Sequence, residues 1–332
     1  MALRDAPATW LQVGLSSDFR RGRGVRRVTR WGEELVAYRS ASGRLVVHNS
    51  VCPHLGAHLG GGTVRGECLE CPFHGWQYHP DGAVQYVPGA RRVPSRARLD
   101  SYPTFEAGGI AFMYPRTLDE GGAPRELHPE LVSVLRDESS LASFKTVVVQ
   151  ADVDDIQENA ADTAHFAMVH RTSIARTRPF RSSVDDECHF LVEGVLEAQL
   201  GGDITVELRC FDPCTAYTVS RSRWGNSELF VFLAQLGPRE TELHFLVRTA
   251  PHFLIGRLLN RVRANKQVEV FCEDRAVWAE RTRLDTPILS DADGPVLPYR
   301  RWIGAWTARY GHRTDQGADV VGRARAGPGD AP

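Results

Sequence analysis

Cys52-Pro53-His54 and, sixteen residues later, Cys71-Pro72-Phe73-His74-Gly75-Trp76 decide how this chain is read. Each half presents one thiol and one imidazole on a short loop. Prolines at 53 and 72 and glycines at 56, 60, 61, 62 and 75 suit tight turns that hold side chains rigidly. From about Trp10 to Tyr114 the surrounding sequence is broken every few residues by Gly, Pro or Asp. Between the breaks lie β-branched and aromatic runs such as Glu34–Tyr38 and Leu45–Val47, ending with Ile110–Tyr114 after Gly108-Gly109. That pattern predicts short strands joined by turns, a small all-β unit.

The rest of the chain sets bounds. At 332 residues it is long enough for about two domains. Forty Lys and Arg against 41 Asp and Glu leave a formal charge of −1, which asks for neither nucleic acid nor an anionic membrane. Seven cysteines, an odd number at low density, do not make a disulfide framework. The first ten residues lack the apolar core of a secretory signal. The longest apolar run, Leu229–Leu236, is far short of the roughly 20 residues of a spanning helix, so the expectation is a cytoplasmic chain with no integral membrane segment.

Beyond a Pro- and Gly-rich linker at Pro115–Glu130, Phe144–Val149 reads as a strand and Asp152–His170 as a helix with acidic residues at its positive end. Residues 189–250 return to strand-like alternation, and a helix is expected from about Ile255 to Leu284. The second unit is therefore α+β. The residues after His312 lack periodicity and read as disordered. The expected division is 1–118, 119–311 and a tail at 312–332.

Two thiolates on one iron and two imidazoles on the other are the ligand set of a Rieske [2Fe–2S] centre. Cys2His2 is also a zinc set, but zinc sites favour Cys-x2–4-Cys with His-x3–5-His, which Cys52-x-His54 does not follow. Cys68, which forms a Cys-x-x-Cys with Cys71, is then a bystander. His48, His58 and His79 read as surface or loop residues. Cys188, Cys210, Cys214 and Cys272 read as ordinary thiols.

A second constellation lies in Asn159-x-x-Asp162-x-x-His165-x4-His170. Asp162 and His165 share one face of the predicted helix. His165 and His170 stand about 140° apart on an ideal helix, so the helix must end or distort for both to reach one metal. A third ligand is expected near residue 270, where Val270, Phe271, Val277 and Trp278 form an apolar stripe on which Asp274 falls. A carboxylate on a buried face needs a cation or full hydrogen bonding. Glu273 competes with it as ligand. Two imidazoles and one carboxylate are the facial triad of non-haem Fe(II) oxygenases.

Both motifs together resemble the Rieske non-haem iron oxygenases, over almost the whole chain from about Trp10 to Tyr310. The resemblance implies an N-terminal all-β Rieske domain followed by an α+β, helix-grip-like catalytic domain. It implies a [2Fe–2S] cluster on Cys52, His54, Cys71 and His74 and mononuclear Fe(II) on His165, His170 and Asp274. It further implies a homotrimer in which Asp162 links His165 to a Rieske histidine, His74 or His54, of the neighbouring subunit. O2 would be the co-substrate, with NAD(P)H electrons delivered by a reductase, with or without a ferredoxin. Glu273-Asp274-Arg275-Ala276-Val277-Trp278, Thr286-Pro287, Asp293-Gly294-Pro295 and Arg300-Arg301-Trp302 resemble the closing segment of 3-ketosteroid 9α-hydroxylases and Neverland-type cholesterol 7-desaturases. Hydroxylation, desaturation or dealkylation of a bulky apolar substrate, steroid-like or polycyclic, is the expected chemistry, a monooxygenase or desaturase rather than a cis-dihydroxylating dioxygenase. A non-catalytic Rieske electron-transfer or regulatory protein is the alternative.

The basic run from Arg20 to Arg30 reads as a solvated loop and strand edge, with a docking patch for an acidic reductase or ferredoxin as its second reading. It lacks the interleaved aromatics of a nucleic-acid surface. The apolar strands at 229–247 and the helix after 255 are expected to line a substrate cavity or to pack the core.

Overall fold

The computed structural model describes residues 2–118, 124–136, 141–170, 174–184, 189–223, 225–249, 256–290 and 293–310. Eleven strands occupy the first part: β1 (Leu11–Leu15), β2 (Arg26–Arg30), β3 (Glu33–Arg39), β4 (Leu45–Asn49), β5 (Thr63–Arg65), β6 (Cys68–Glu70), β7 (Gln77–Tyr78), β8 (Val84–Tyr86), β9 (Ser101–Tyr102), β10 (Thr104–Ala107) and β11 (Ile110–Met113). They form three antiparallel sheets, ordered β1-β11-β10, β2-β3-β4-β9 and β5-β6-β7-β8.

Helix α1 (Pro129–Arg136) opens on a proline whose missing N–H costs nothing at that position, and buries Leu131 and Leu135. Then come β12 (Leu141–Val149), α2 (Val153–Glu158), α3 (His165–Val169), β13 (Ile174–Thr177), β14 (Arg181–Val184), β15 (Phe190–Ala198), β16 (Asp203–Asp212), β17 (Thr215–Ser222), β18 (Gly225–Gly237) and β19 (Glu240–Thr249). These strands build one antiparallel sheet, β12-β19-β18-β17-β16-β15-β13, with β14 also on β15. Helices α4 (Gly256–Phe271), α5 (Arg275–Glu280) and α6 (Val296–Tyr310) close the chain. The N-terminal sheets followed by a helix-flanked large sheet match the α+β order expected from the sequence.

The main core joins the two parts: Leu35, Ala37, Leu45 and Val47 from the N-terminal sheets meet Val231, Leu233, Leu243 and Phe245 from β18 and β19. These apolar strands therefore serve the core. A buried ionic tie crosses the same junction. Arg30, 3% exposed at its side chain, lies 3.3 Å from Glu242 and donates to the Gln12 carbonyl. Glu242 also meets His244 Nε2 at 2.9 Å, and His244 Nδ1 faces Thr146. Burial would raise the Glu242 pKa, but His244 and Arg30 outweigh it and hold the carboxyl at about 2. Its stabilisation is thus complete above the unfolded value of 4.5 and is lost as pH falls towards about 2. Glu242→Gln leaves the Arg30 charge buried without its partner, and the expected cost is about 3–5 kcal/mol. A thermal midpoint equal to that of the wild type would show that the pair contributes nothing.

Three expectations need correction. The helix read as Asp152–His170 is two short helices, α2 and α3, separated at residues 159–164. The helix read as Ile255–Leu284 is interrupted by a 3-10 turn at Cys272–Asp274 and ends at Glu280, leaving Val277 51% exposed and off the buried stripe. His48, expected at the surface, is wholly buried in β4. The tail at 312–332 and part of the linker lie outside the described residues.

Candidate metal centres

The two N-terminal loops are copies of one backbone device. In the first, Cys52 N–H donates to the Ala57 carbonyl and Gly56 N–H to the Cys52 carbonyl. In the second, Cys71 N–H donates to Trp76 and Gly75 N–H to Cys71. The fourth residue after each cysteine must adopt a left-handed conformation, and it is glycine both times, with φ of +75° and +69°. Each loop thereby turns its cysteine inward and its histidine towards the other loop. Cys52 and Cys71 are buried among Leu59, Leu69 and Tyr78. The His54 and His74 rings lie 4.7 Å apart, and Trp76 stacks on His54 at 4.4 Å. His54 Nδ1 is buried without a hydrogen-bond partner, which fits a role as a cluster ligand.

Among the described residues, the only groups of three or more His, Cys, Asp or Glu donors within 4.8 Å of one another are His165, His170, Asp274 and His128, Glu130, His189. Glu130 in the latter is already paired with Arg209. The quartet at 52–74 is not drawn around one point, which suits a two-iron cluster better than a single tetrahedral zinc.

Tyr78, on the strand after the second loop, places its hydroxyl 3.0 Å from Cys52 Sγ. Burial and the neighbouring Cys52 push its pKa up, so the hydroxyl stays protonated and is placed to donate to a cluster-bound Sγ. Sequence reading missed this contact; its only signal is a phenol two residues past Trp76. Hydrogen bonds to ligand sulfurs favour the reduced, more negative cluster. Tyr78→Phe is therefore expected to lower the midpoint potential, measured by redox titration of the cluster signal, and an unchanged potential would exclude this contribution. Cys68 bonds instead to Gln85 and stays apart from the ligand loops.

The second centre depends on how α2 stops. Glu158, its last residue, is 1% exposed and is gripped by Arg300 at 2.7 Å, by Arg283 at 3.3 Å and by Arg281. Burial raises the Glu158 pKa, but these guanidiniums outweigh it and keep it ionised. The chain then turns over residues 159–164 against the backbone at Gly294, where an added Cβ would lie 2.2 Å from the Ala161 carbonyl and 2.6 Å from Thr163 N. Only glycine permits that approach. Helix α6 holds the turn from outside, with Tyr299, Trp302 and Trp306 packed against Ala160 and Ala161.

His165 opens α3 and His170 is its C-cap, so the helix ends between them. Asp162 sits in the preceding turn and not on a helical face. His165 Nε2 and His170 Nε2 face Asp274 Oδ2 at 3.8 and 3.5 Å. The opposite nitrogens point away: His165 Nδ1 to the Asp162 carbonyl, His170 Nδ1 to Glu273 Oε2 at 2.9 Å. Burial opposes the charged form of both rings; it prevails at His165, while at His170 the two carboxylates outweigh it. The 3-10 turn at Cys272–Asp274 is what aims Glu273 and Asp274 at different edges of His170. Asp162, 39% exposed at its side chain, has Oδ2 3.9 Å from His165 Nδ1 on the outer side.

Residues 9–103 match the Rieske [2Fe-2S] domain family and residues 257–306 the 3-ketosteroid 9alpha-hydroxylase C-terminal domain. The oxygenase component of a 3-ketosteroid-9-alpha-monooxygenase from Rhodococcus rhodochrous is 27% identical over 314 residues, 88% of this chain and 82% of that protein. A cholesterol 7-desaturase of Xenopus laevis is 27% identical over 84% of this chain and 67% of that protein.

The chain is thus similar to Rieske non-haem iron oxygenases over most of its length.

Solved structures agree in fold. Dicamba monooxygenase bound to dicamba superposes with a TM-score of 0.74 at 17% identity, over 93% of this chain and 98% of that one. The NdmA protein of Pseudomonas putida CBB5 with caffeine gives 0.74 at 20% identity, over 91% and 90%. The two constellations lie on separate sheets: the thiol and imidazole loops beside β5–β8, the histidine and carboxylate group beside the large sheet. Among the described residues, no helix is long and apolar enough to cross a membrane.

Proposed function

We propose that this chain is a terminal oxygenase component that receives electrons from an NAD(P)H-dependent reductase and hydroxylates, desaturates or dealkylates a bulky apolar substrate of steroid-like or polycyclic shape. Cys52, His54, Cys71 and His74 would hold the [2Fe–2S] cluster; His165, His170 and Asp274 would hold Fe(II). When bound, the cluster relays single electrons and the iron supplies the O2 chemistry. The observation that carries the reading is the convergence of two Nε2 atoms on the buried Asp274 while both Nδ1 atoms are turned onto protein acceptors. That arrangement fixes each ring's tautomer and leaves three protein donors for one metal.

The residues divide the work. Asp274 supplies the anionic donor. Glu273 accepts from His170 Nδ1–H and keeps its Nε2 free for metal. The Asp162 carbonyl does the same for His165. The Asp162 carboxylate, exposed on the outer side, would reach a Rieske histidine of a neighbouring copy in a head-to-tail trimer. The division into 1–118 and 119–311 assigns one centre to each part.

A steroid-like substrate is favoured by the names of the two relatives, a ketosteroid monooxygenase and a cholesterol desaturase. The test is turnover with a surrogate reductase against 3-ketosteroids and sterols, following NADH and product mass. The expected result is coupled NADH use with gain of one oxygen or loss of two hydrogens. NADH oxidation with every steroid returned unchanged would contradict the substrate class.

A further inference from the structure

Residues 9–103 carry thirteen arginines, no lysine and seven Asp or Glu, a formal +6 in a chain whose total is −1. Within this region Glu34, Glu70 and Asp81 are already committed to His58, Arg65 and His79. The five arginines of residues 20–27 and the three of residues 91–96 are exposed, and no carboxylate among the described residues pairs with them. The excess is therefore concentrated on two surface segments.

Both segments reach the ligand loops. An added Cβ at Gly60, in the turn that follows the first loop, would lie 2.6 Å from Arg27 Nε. At Gly75, in the second loop, it would lie 3.2 Å from Pro88, three residues before Arg91. The loops themselves adjoin, since a Cβ at Gly61 would stand 3.7 Å from Pro72. The first arginine segment thus adjoins the turn after the first ligand loop through Arg27, and the second follows closely on Pro88, which packs against the second loop.

We propose that these two arginine segments form the docking surface for a small acidic protein that donates one electron, of the iron–sulfur type. The inference rests on the reading that Cys52, His54, Cys71 and His74 hold a cluster reduced from outside the chain. One electron would leave the reduced donor, oxidising it by one unit, and reduce the cluster by one unit. All of the basic groups are arginines, which bind carboxylates in bidentate fashion. A second copy is the competing occupant, because the remainder of the chain carries the balancing −7. Permanent interfaces between copies are large and apolar, whereas Val25 and Val93 are the only valines, and no leucine, isoleucine or aromatic residue occurs, in these segments. A transient, charge-steered encounter fits better.

The test uses the cluster-loaded full chain and an acidic plant-type [2Fe–2S] ferredoxin as probe. Arg23→Glu, Arg91→Glu and Arg92→Glu are combined in one variant, none of them a cluster ligand. The expected results are at least a roughly tenfold weaker Kd for oxidised ferredoxin by calorimetry and a similar fall in the stopped-flow rate of cluster reduction. Raising NaCl from about 20 to about 300 mM should reproduce both losses in the wild type and change the variant little. The EPR spectrum, midpoint potential and solution mass of the variant should match the wild type. Equal affinity and rate in both proteins, or a wild-type rate indifferent to salt, would overturn the docking surface alone. A changed solution mass would assign the arginines to an interface between copies and overturn it too. A wild-type chain with no cluster signal would overturn the functional reading as well.

Discussion

Asp274→Ala is expected to abolish mononuclear iron binding and reduce product formation to background, while Glu273→Gln keeps the iron and loses roughly 10–100-fold in iron affinity or turnover. The two residues are adjacent in sequence and were rivals for one role, but they meet different atoms. Asp274 Oδ2 faces both Nε2 atoms, at 3.8 and 3.5 Å. Glu273 Oε2 meets only His170 Nδ1, at 2.9 Å. Removing Asp274 takes away a donor and leaves two neutral imidazoles, too weak a set for Fe(II). Removing the Glu273 charge leaves the ligands in place but loosens one ring. Iron analysis with EPR of the intact cluster as internal control separates the cases. If Glu273→Gln lost the iron and Asp274→Ala kept it, the roles would be reversed.

Asp162→Asn is expected to leave both centres loaded and the fold unchanged, yet to slow product formation in a single turnover of the pre-reduced protein by about 100-fold. The carbonyl that accepts from His165 Nδ1 is backbone and survives the substitution, so iron binding should persist. What changes is the exposed carboxylate, 39% accessible and 3.9 Å from His165 Nδ1, the nitrogen opposite the one that faces Asp274. That exposed position is what the proposed link to a neighbouring subunit requires. An unchanged single-turnover rate would remove Asp162 from the path between centres.

The Rieske loops were legible because everything they need is local: the cysteine, the histidine, and a glycine four residues on that takes the left-handed turn. The histidine and carboxylate group was legible as a list of residues but not as geometry. Nothing in residues 152–170 announces that the helix stops at Glu158. The end of α2 is gripped by three arginines more than 120 residues away, and the turn after it packs directly on the backbone at Gly294. The same holds at Asp274, where hydrophobic periodicity suggested one long helix. The 3-10 turn that breaks it serves the site, not the stripe. His48 was misplaced because a single histidine carries no sign of burial, and the Arg30–Glu242 tie joins residues more than 200 apart.

Two metal centres in one chain are expected, and their stoichiometry tests them most directly. Anaerobically reconstituted protein should contain about three irons and two acid-labile sulfides per chain, with a Rieske-type EPR signal on reduction. Loss of the cluster ligands through Cys71→Ser should remove two irons and both sulfides while the third iron remains. Two irons in the wild type, all lost in that variant, would leave an electron carrier without an oxygenase site. Zinc without labile sulfide would contradict the account altogether.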